Sequence, residues 1–121
     1  MQNKTFTQTT IVAANQTAEE YGSGLLPVYA TPALIGFMEN TAMKMIELPA
    51  DSSSVGILMN MKHMKASAVG ATITCTATIT EVDGRKYTFA IKATDESGDL
   101  VGEAIHERFV VNVEKFMSKV K

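Results

Sequence analysis

The sequence predicts an α+β chain in which one helix is set against an antiparallel sheet, and three observations predict it. The segment Thr31–Leu48 carries helix-start signals and is followed at once by Pro49. Residues 70–82 alternate between apolar side chains and threonine. Turn signals at Asp83-Gly84 and at Ser97-Gly98-Asp99 divide the second half into strands joined by tight hairpins. The order is therefore strand, long loop, helix, then four strands, with the helix segregated from the sheet.

Residues 4–13 alternate loosely, with Phe6 and Val12 to one side and Ile11 and Ala13 to the other, and read as a first strand. Residues 14–30 carry turn formers without a stable period, and a connection of that length in a small domain is usually a working loop or lid. The helix is expected over about 32–48, with Thr31 as N-cap and Pro32 at the first helical position. Pro49 and Asp51-Ser-Ser-Ser54 end it. At about 100° per residue Asn40, Lys44 and Glu47 share one narrow polar stripe, which implies burial nearly all round. In the next strand Val55, Ile57, Met59, Met61 and His63 fall on one face, and Gly56, Leu58, Asn60, Lys62 and Met64 on the other. Ala71, Ile73, Cys75, Ala77 and Ile79 face inward from the following strand, while Thr72, Thr74, Thr76, Thr78 and Thr80 face water. Residues 85–95 return with Tyr87, Phe89, Ile91 and Ala93 on one face, residues 100–112 form the last strand, and 113–121 make a short amphipathic tail. One long central helix wrapped by a roughly five-stranded antiparallel sheet resembles the hotdog fold.

At 121 residues the chain fits a single domain over 1–121. With 45% hydrophobic residues and a net charge of −2, it lacks the basic excess of a nucleic-acid binder. Lys62 and Lys65 form a concentration able to meet one phosphate. The lone Cys75 excludes an internal disulfide or cysteine-zinc site, fits a reducing, cytoplasmic setting, and reads as an inert core thiol. The polar start, Met1–Thr10, lacks a signal-peptide core, and no apolar run approaches the roughly 20 residues of a membrane span. No membrane partner is expected. Eight methionines and no tryptophan suit a pliable apolar pocket.

Glu39 is the most informative residue. It lies roughly 100° from the polar stripe, among Ile35, Met43 and Ile46, where an unpartnered carboxylate is costly. Such a group is a candidate for acid–base or nucleophilic work; its bland alternative is a helix-edge glutamate reaching water. His63 points at the helix and suits proton transfer near neutral pH, unless it is a core histidine bonded to a carbonyl. Thr31 places a hydroxyl at the positive end of the helix dipole, although threonines are common there for capping alone. The N–H groups of Ala33 and Leu34 are expected to be free to polarise a carbonyl oxygen. Gly70 permits close approach of a ligand or simply opens a strand. His106-Glu107-Arg108 reads as a solvated face, with one of His106 and Arg108 able to reach a pocket rim. No zinc, calcium, Walker or dinucleotide spacing is present, so no cofactor or metal is called for.

Ala30-Thr31-Pro-Ala-Leu-Ile-Gly-Phe-Met-Glu39, Val55-Gly56, His63 followed by Gly70, Val82-Asp-Gly-Arg85 and Gly102-Glu-Ala-Ile-His-Glu-Arg108 occur in this order. Together they resemble the hotdog-fold acyl-CoA thioesterases of the fluoroacetyl-CoA thioesterase type, from about Val28 to Phe116. The resemblance implies hydrolysis of an acyl-CoA thioester by a homodimer, with Thr31, Glu39 and His63 matching the family's catalytic threonine, glutamate and histidine. The family's fluoroacetate-specialised member has a Phe-containing lid and a glycine after the threonine. Here the lid segment is Glu19-Glu-Tyr-Gly-Ser-Gly-Leu-Leu-Pro27 and the threonine is followed by Pro32, which places fluoroacetyl selectivity in question. On this reading Thr31, Glu39 and His63 are catalytic, and Ala33, Leu34, Gly70 and Arg108 bind substrate. The rivals are a non-catalytic hotdog module holding an acyl or aromatic ligand, and a hotdog lyase on acyl thioesters. The lyase would need an acidic residue near the helix start, where this chain has Thr31.

Overall fold

A computed structural model describes residues 4–120; Met1–Asn3 of the polar start and Lys121 of the tail lie outside the described residues. The elements are β1 (Thr5–Ile11), a 3₁₀ turn (Ala14–Gln16), α1 (Ala18–Tyr21), α2 (Thr31–Met43), β2 (Ser52–His63), β3 (Thr72–Asp83), β4 (Lys86–Thr94), β5 (Leu100–Asn112) and α3 (Val113–Ser118). The five strands form one sheet in the order β1-β3-β4-β5-β2, every neighbouring pair antiparallel. β1 and β2 are its edges.

The Thr-rich strand behaves as its alternation requires. Ile73, Cys75 and Ala77 are fully buried beneath α2, facing Phe89, Ile91 and Ala93 of β4 on the same side. On the wet side, threonines of β1 and β3 pair across the strands: Thr5 with Thr78, Thr7 with Thr76 and Thr9 with Thr74, at 3.1 to 3.3 Å. α2 covers the dry side, burying Ala33, Leu34, Met38, Thr41 and Ala42 against β3 and its neighbours. Fully burying Leu34 and Met38 contributes roughly 1.5–3 kcal/mol each. The polar stripe also meets the sheet. Gln8 of β1 donates from Nε2 to Asn40 Oδ1 and Thr41 Oγ1 and accepts from Lys44 Nζ.

The structure corrects the sequence in four places. First, α2 is not one long central helix: it stops after 13 residues, at Met43. Met45 and Ile46 donate to Ala42 and Met43, so the backbone tightens to three-residue spacing and tucks Ile46 into the core before Pro49 is reached. Second, α2 is not buried all round, since Thr31, Pro32, Gly36, Asn40 and Met43 are exposed. Third, the N-cap is Ala30, whose carbonyl accepts from Leu34 N–H and whose N–H goes to Gln16; Thr31 and Pro32 each move one place into the helix. Fourth, β2 carries a bulge between Gly56 and Leu58. The extra residue reverses the alternation, so Ser54 and Gly56 share the helix-facing side with Met59, Met61 and His63. Val55 and Ile57 do not, and Ile57 is half exposed.

The long connection is more ordered than its composition implied. Thr17 caps α1, Gly22 ends it at φ +71°, and backbone bridges tie Thr17 to Tyr29 and Val28 to Ala68. Residues 22–27 remain on the surface, with Leu25 and Leu26 exposed. No helix among the described residues is long and apolar enough to cross a membrane.

Gly102 lets β5 lie directly under α2. A Cβ there would meet the Lys62 carbonyl oxygen at 2.9 Å and Leu34 Cδ2 at 3.1 Å, and the first is backbone that cannot rotate away. Gly102→Ala is expected to destabilise the fold by about 1–3 kcal/mol, measured as a lower urea midpoint with an unchanged slope.

Candidate active site

Two polar centres lie along the exposed side of α2. The first is built by the helix start and the end of β2. Because Ala30 caps the helix through its backbone, the Thr31 hydroxyl is free, and its Oγ1 lies 2.8 Å from His63 Nδ1. His63 reaches this point because the bulge restored its inward phase, opposite Gly102. Its Nε2 is buried without a hydrogen-bond partner among the described residues, a position an incoming group can fill. Burial pushes His63 below its ordinary 6.5, with a backbone contact from Lys65 opposing, so the ring is neutral at pH 7. With Nδ1 bare, the Thr31 hydroxyl donates to it; with Nδ1 protonated, Thr31 accepts and Nε2 is the base.

The second centre surrounds Glu39, eight residues and roughly 12 Å further along the helix. Its carboxylate occupies the space a side chain at position 56 would need. A Cβ on Gly56 would lie 3.0 Å from Glu39 Oε2, 3.3 Å from His106 Cε1 and 3.6 Å from Arg108 Nη1. The three groups converge on one point because Gly56 leaves it empty. Arg108 is buried and locked from below: Nε donates to Ser54 Oγ at 2.8 Å, and Nη2 to the Ser54 carbonyl at 2.9 Å. His106 is completely buried and stacked beside Phe89. Its Nδ1 lies 2.8 Å from the Leu58 carbonyl, which can only accept, so Nδ1 carries the proton and Nε2 accepts from Arg108 Nη1 at 3.3 Å. Burial and the Arg108 charge hold His106 below its usual range, against the Leu58 bond and the Glu39 charge. Glu39 itself makes no direct hydrogen bond or ion pair among the described residues.

Thr31 and His63 are thus brought together, while Glu39 of the same chain stands apart from them. Ala33 and Leu34 are in the first turn, but Leu34 N–H is spent on Ala30, leaving that of Ala33 without a backbone partner among the described residues. Arg108 is not at a pocket rim; it lies behind Glu39. Gly70 is a turn glycine at φ +93° beside a hollow of about 420 Å³ shared with Lys65 and Ser67. Lys65 is not free for a phosphate in this structure, since its ammonium is held by Asp95 at 2.6 Å and Asp99 at 2.7 Å. His106 and Arg108 were expected on a solvated face with one of them at a pocket rim, whereas both are buried; Gly56 was named only within the Val55-Gly56 motif, and Ser54 was passed over. The period-two alternation of β5 already put His106 and Arg108 with Gly102 and Ala104, and that buried face was the available signal.

A helix on a five-stranded antiparallel sheet in this order is a hotdog architecture, and the solved structures similar to it include thioesterases. A structure of the fluoroacetyl-CoA thioesterase FlK superposes with a TM-score of 0.92 at 30% identity, covering 99% of this chain and 95% of that one. A variant of FlK in complex with fluoroacetate and CoA gives 0.88 at 30% identity, covering 96% and 99%. A Thermus thermophilus thioesterase superfamily member, at 24% identity and a TM-score of 0.87 over 98% and 88% of the two chains, shares the fold. In sequence, the fluoroacetyl-CoA thioesterase of Streptantibioticus cattleyicolor is 33% identical over 96 residues, 78% of this chain and 68% of that protein. The model of the fluoroacetyl-CoA-specific thioesterase family matches residues 12–114, and the chain belongs to that family.

The two histidines make stability depend on pH. Both native values are lowered, so folding favours the neutral rings. Their contribution is fully present above about pH 6.5 and is lost as pH falls from there through the lowered native values. The urea midpoint should be steady between about pH 8 and about pH 7 and drop on acidification below about pH 6.5. The drop should be smaller in His106→Gln, which has no titrating group there.

Proposed function

We propose that this chain hydrolyses an acyl-CoA thioester to the free acid and CoA, with Thr31, His63 and Glu39 as its working residues. The carrying observation is the 2.8 Å contact between Thr31 and a neutral His63 whose Nε2 is unpartnered, at the start of a helix in a thioesterase-family fold. The thioester carbonyl would lie over the first turn of α2, where the Ala33 N–H and the helix dipole stabilise negative charge on oxygen. Glu39 acts as general base toward water, or attacks the carbonyl itself to give an anhydride that water opens. In the direct route water adds to the carbonyl carbon as Glu39 takes its proton, the C–S bond breaks, and that same proton passes by way of His63, which accepts on one ring nitrogen as it gives up from the other, to the departing thiolate. Thr31 binds or relays.

We further propose that each site is shared between the subunits of a homodimer. The roughly 12 Å separating Thr31 from Glu39 along one helix supports this, because two side chains of that size do not easily serve one carbonyl. A two-fold partner with an antiparallel helix would bring its Glu39 to the Thr31–His63 pair, twice over. β2 also ends the sheet with an unpaired edge, a surface suited to strand pairing with a second copy. The proposed setting is cytoplasmic, where acyl-CoA thioesters are made and used. The Gly22–Gly24 lid segment, with Leu25 and Leu26 exposed, is proposed to admit acyl groups larger than acetyl.

A free-thiol release screen over fluoroacetyl-, acetyl-, butyryl-, aromatic and long acyl-CoA tests the activity and its range. Turnover is expected across several of these, and a strong preference for fluoroacetyl would overturn the broad range. Glu39→Gln should fold normally and lose about 100-fold or more in kcat; near-normal turnover would remove the carboxylate from the chemistry. For the shared site, inactive Glu39→Gln and His63→Ala chains are mixed and allowed to exchange. A mixed dimer should regain one site of two, about half of wild-type activity. A verified mixed dimer without activity would place Glu39 and His63 of one chain in each site, and a monomer at working concentration would end the proposal.

A further inference from the structure

We infer that His106, together with Ser54, positions Arg108 against the carboxylate of Glu39, and so sets where the proposed base stands although neither residue touches substrate. The inference rests on the reading of Glu39 as the working carboxylate.

The contacts form a chain with one direction. The bulge in β2 brings the Leu58 carbonyl to His106 Nδ1, which fixes the tautomer and leaves Nε2 as an acceptor. Nε2 takes one hydrogen of Arg108 Nη1, while Ser54 takes the Nε and Nη2 sides through its hydroxyl and its carbonyl. Every nitrogen of the guanidinium is thereby held, and Nη1 keeps one hydrogen that His106 does not use. Nη1 is within 3.6 Å of the same point above Gly56 that Glu39 Oε2 approaches to 3.0 Å. Phe89 stacks beside the imidazole with ring centroids 5.9 Å apart.

A buried histidine satisfied by one carbonyl would be an ordinary core residue. Here the second ring nitrogen is committed to an arginine, and that arginine to the surroundings of one carboxylate. Because Glu39 has no direct partner among the described residues, its oxygens stay available to water, while the fixed cation draws the carboxylate into the place Gly56 vacates. A protonated His106 would put a second cation beside Arg108 and remove the acceptor, so only the neutral ring can do this.

The test compares two amides at position 106. Asparagine can still donate to Leu58 O but stops short of Arg108; glutamine reaches far enough to accept from Nη1. His106→Asn is expected to lower kcat on the order of 10- to 100-fold, with KM changed less than about twofold. His106→Gln should recover most of that loss. In a Glu39→Gln background, His106→Asn should lower the residual rate no further, since its effect runs through the missing charge. An equal drop in both backgrounds, a glutamine no better than asparagine, or a rise in KM at constant kcat would each overturn the inference. Should His106→Asn fail to fold, Ser54→Ala loosens the same guanidinium from its other side and should also lower kcat; unchanged kcat would overturn the inference as well. Full turnover in Glu39→Gln alone would instead overturn the reading on which it rests, and the two failures are thus distinct.

Discussion

One extra residue in β2 governs the geometry of both polar centres. Without the bulge at Ile57, strict alternation would put Gly56 and His63 on opposite faces of the sheet. With it, Gly56 opens space under Glu39 at one end of the strand and His63 meets Thr31 at the other. The same irregularity directs the Leu58 carbonyl to His106, the contact that fixes the tautomer on which Arg108 depends. A bulge raises local twist and interrupts the ladder, so it is a local concession of pairing. In this chain it lies at a free edge, where the interruption disturbs one neighbour, β5, and no other.

How much of this was readable in the sequence follows from which forces act locally. The Thr-rich strand, the Asp83-Gly84 hairpin and the Tyr87–Ala93 face were readable, because alternation and turn chemistry are set within a few residues. The helix start was readable to within one position. Thr31 looks like a cap, but the distant Gln16 carbonyl takes the Ala30 N–H, and that long-range bond shifted the frame. The early end at Met43 was not readable, because nothing in Lys44–Leu48 breaks a helix; the demand to bury Ile46 does. The bulge was hidden for the same reason. Gly56-Ile57-Leu58 fits a regular strand, and the extra residue appears only against the register of β5. Of the candidate residues, Thr31 and His63 were readable as a pair only through the family resemblance, since 32 residues separate them. The mixed charges of His106-Glu107-Arg108 read as a solvated face with Arg108 binding substrate, because buried charge is rare and the mutual satisfaction of His106, Arg108 and Ser54 could not be seen from composition.

The electrostatics of the Glu39 centre depend on keeping one partner neutral. Three ionisable side chains crowd the space over Gly56, and a protonated His106 there would repel Arg108. Burial and the neighbouring Arg108 charge favour the neutral ring, and the Leu58 carbonyl fixes which nitrogen keeps the proton, so the ring contributes a hydrogen-bond acceptor and no charge. One cation then faces one anion, the arrangement that burial tolerates. Ser54 supports it from below with two neutral acceptors, which desolvate at less expense than a second carboxylate would.

The separation of the two centres gives the helix its function as a spacer. Thr31 and Glu39 are eight residues apart, a little over two turns, so they lie on nearly the same side of α2 but roughly 12 Å from each other. A carbonyl needs its donor and its base within about 3 Å of the reacting atoms. Within one chain the helix keeps the two backbones that far apart, which supports the proposed sharing of sites between two chains. The constraint disappears under two-fold symmetry: two antiparallel helices of the same spacing set each Glu39 against the other chain's Thr31. The length that sets Thr31 and Glu39 of one chain apart is the length that, in the proposed dimer, would bring two sites into register.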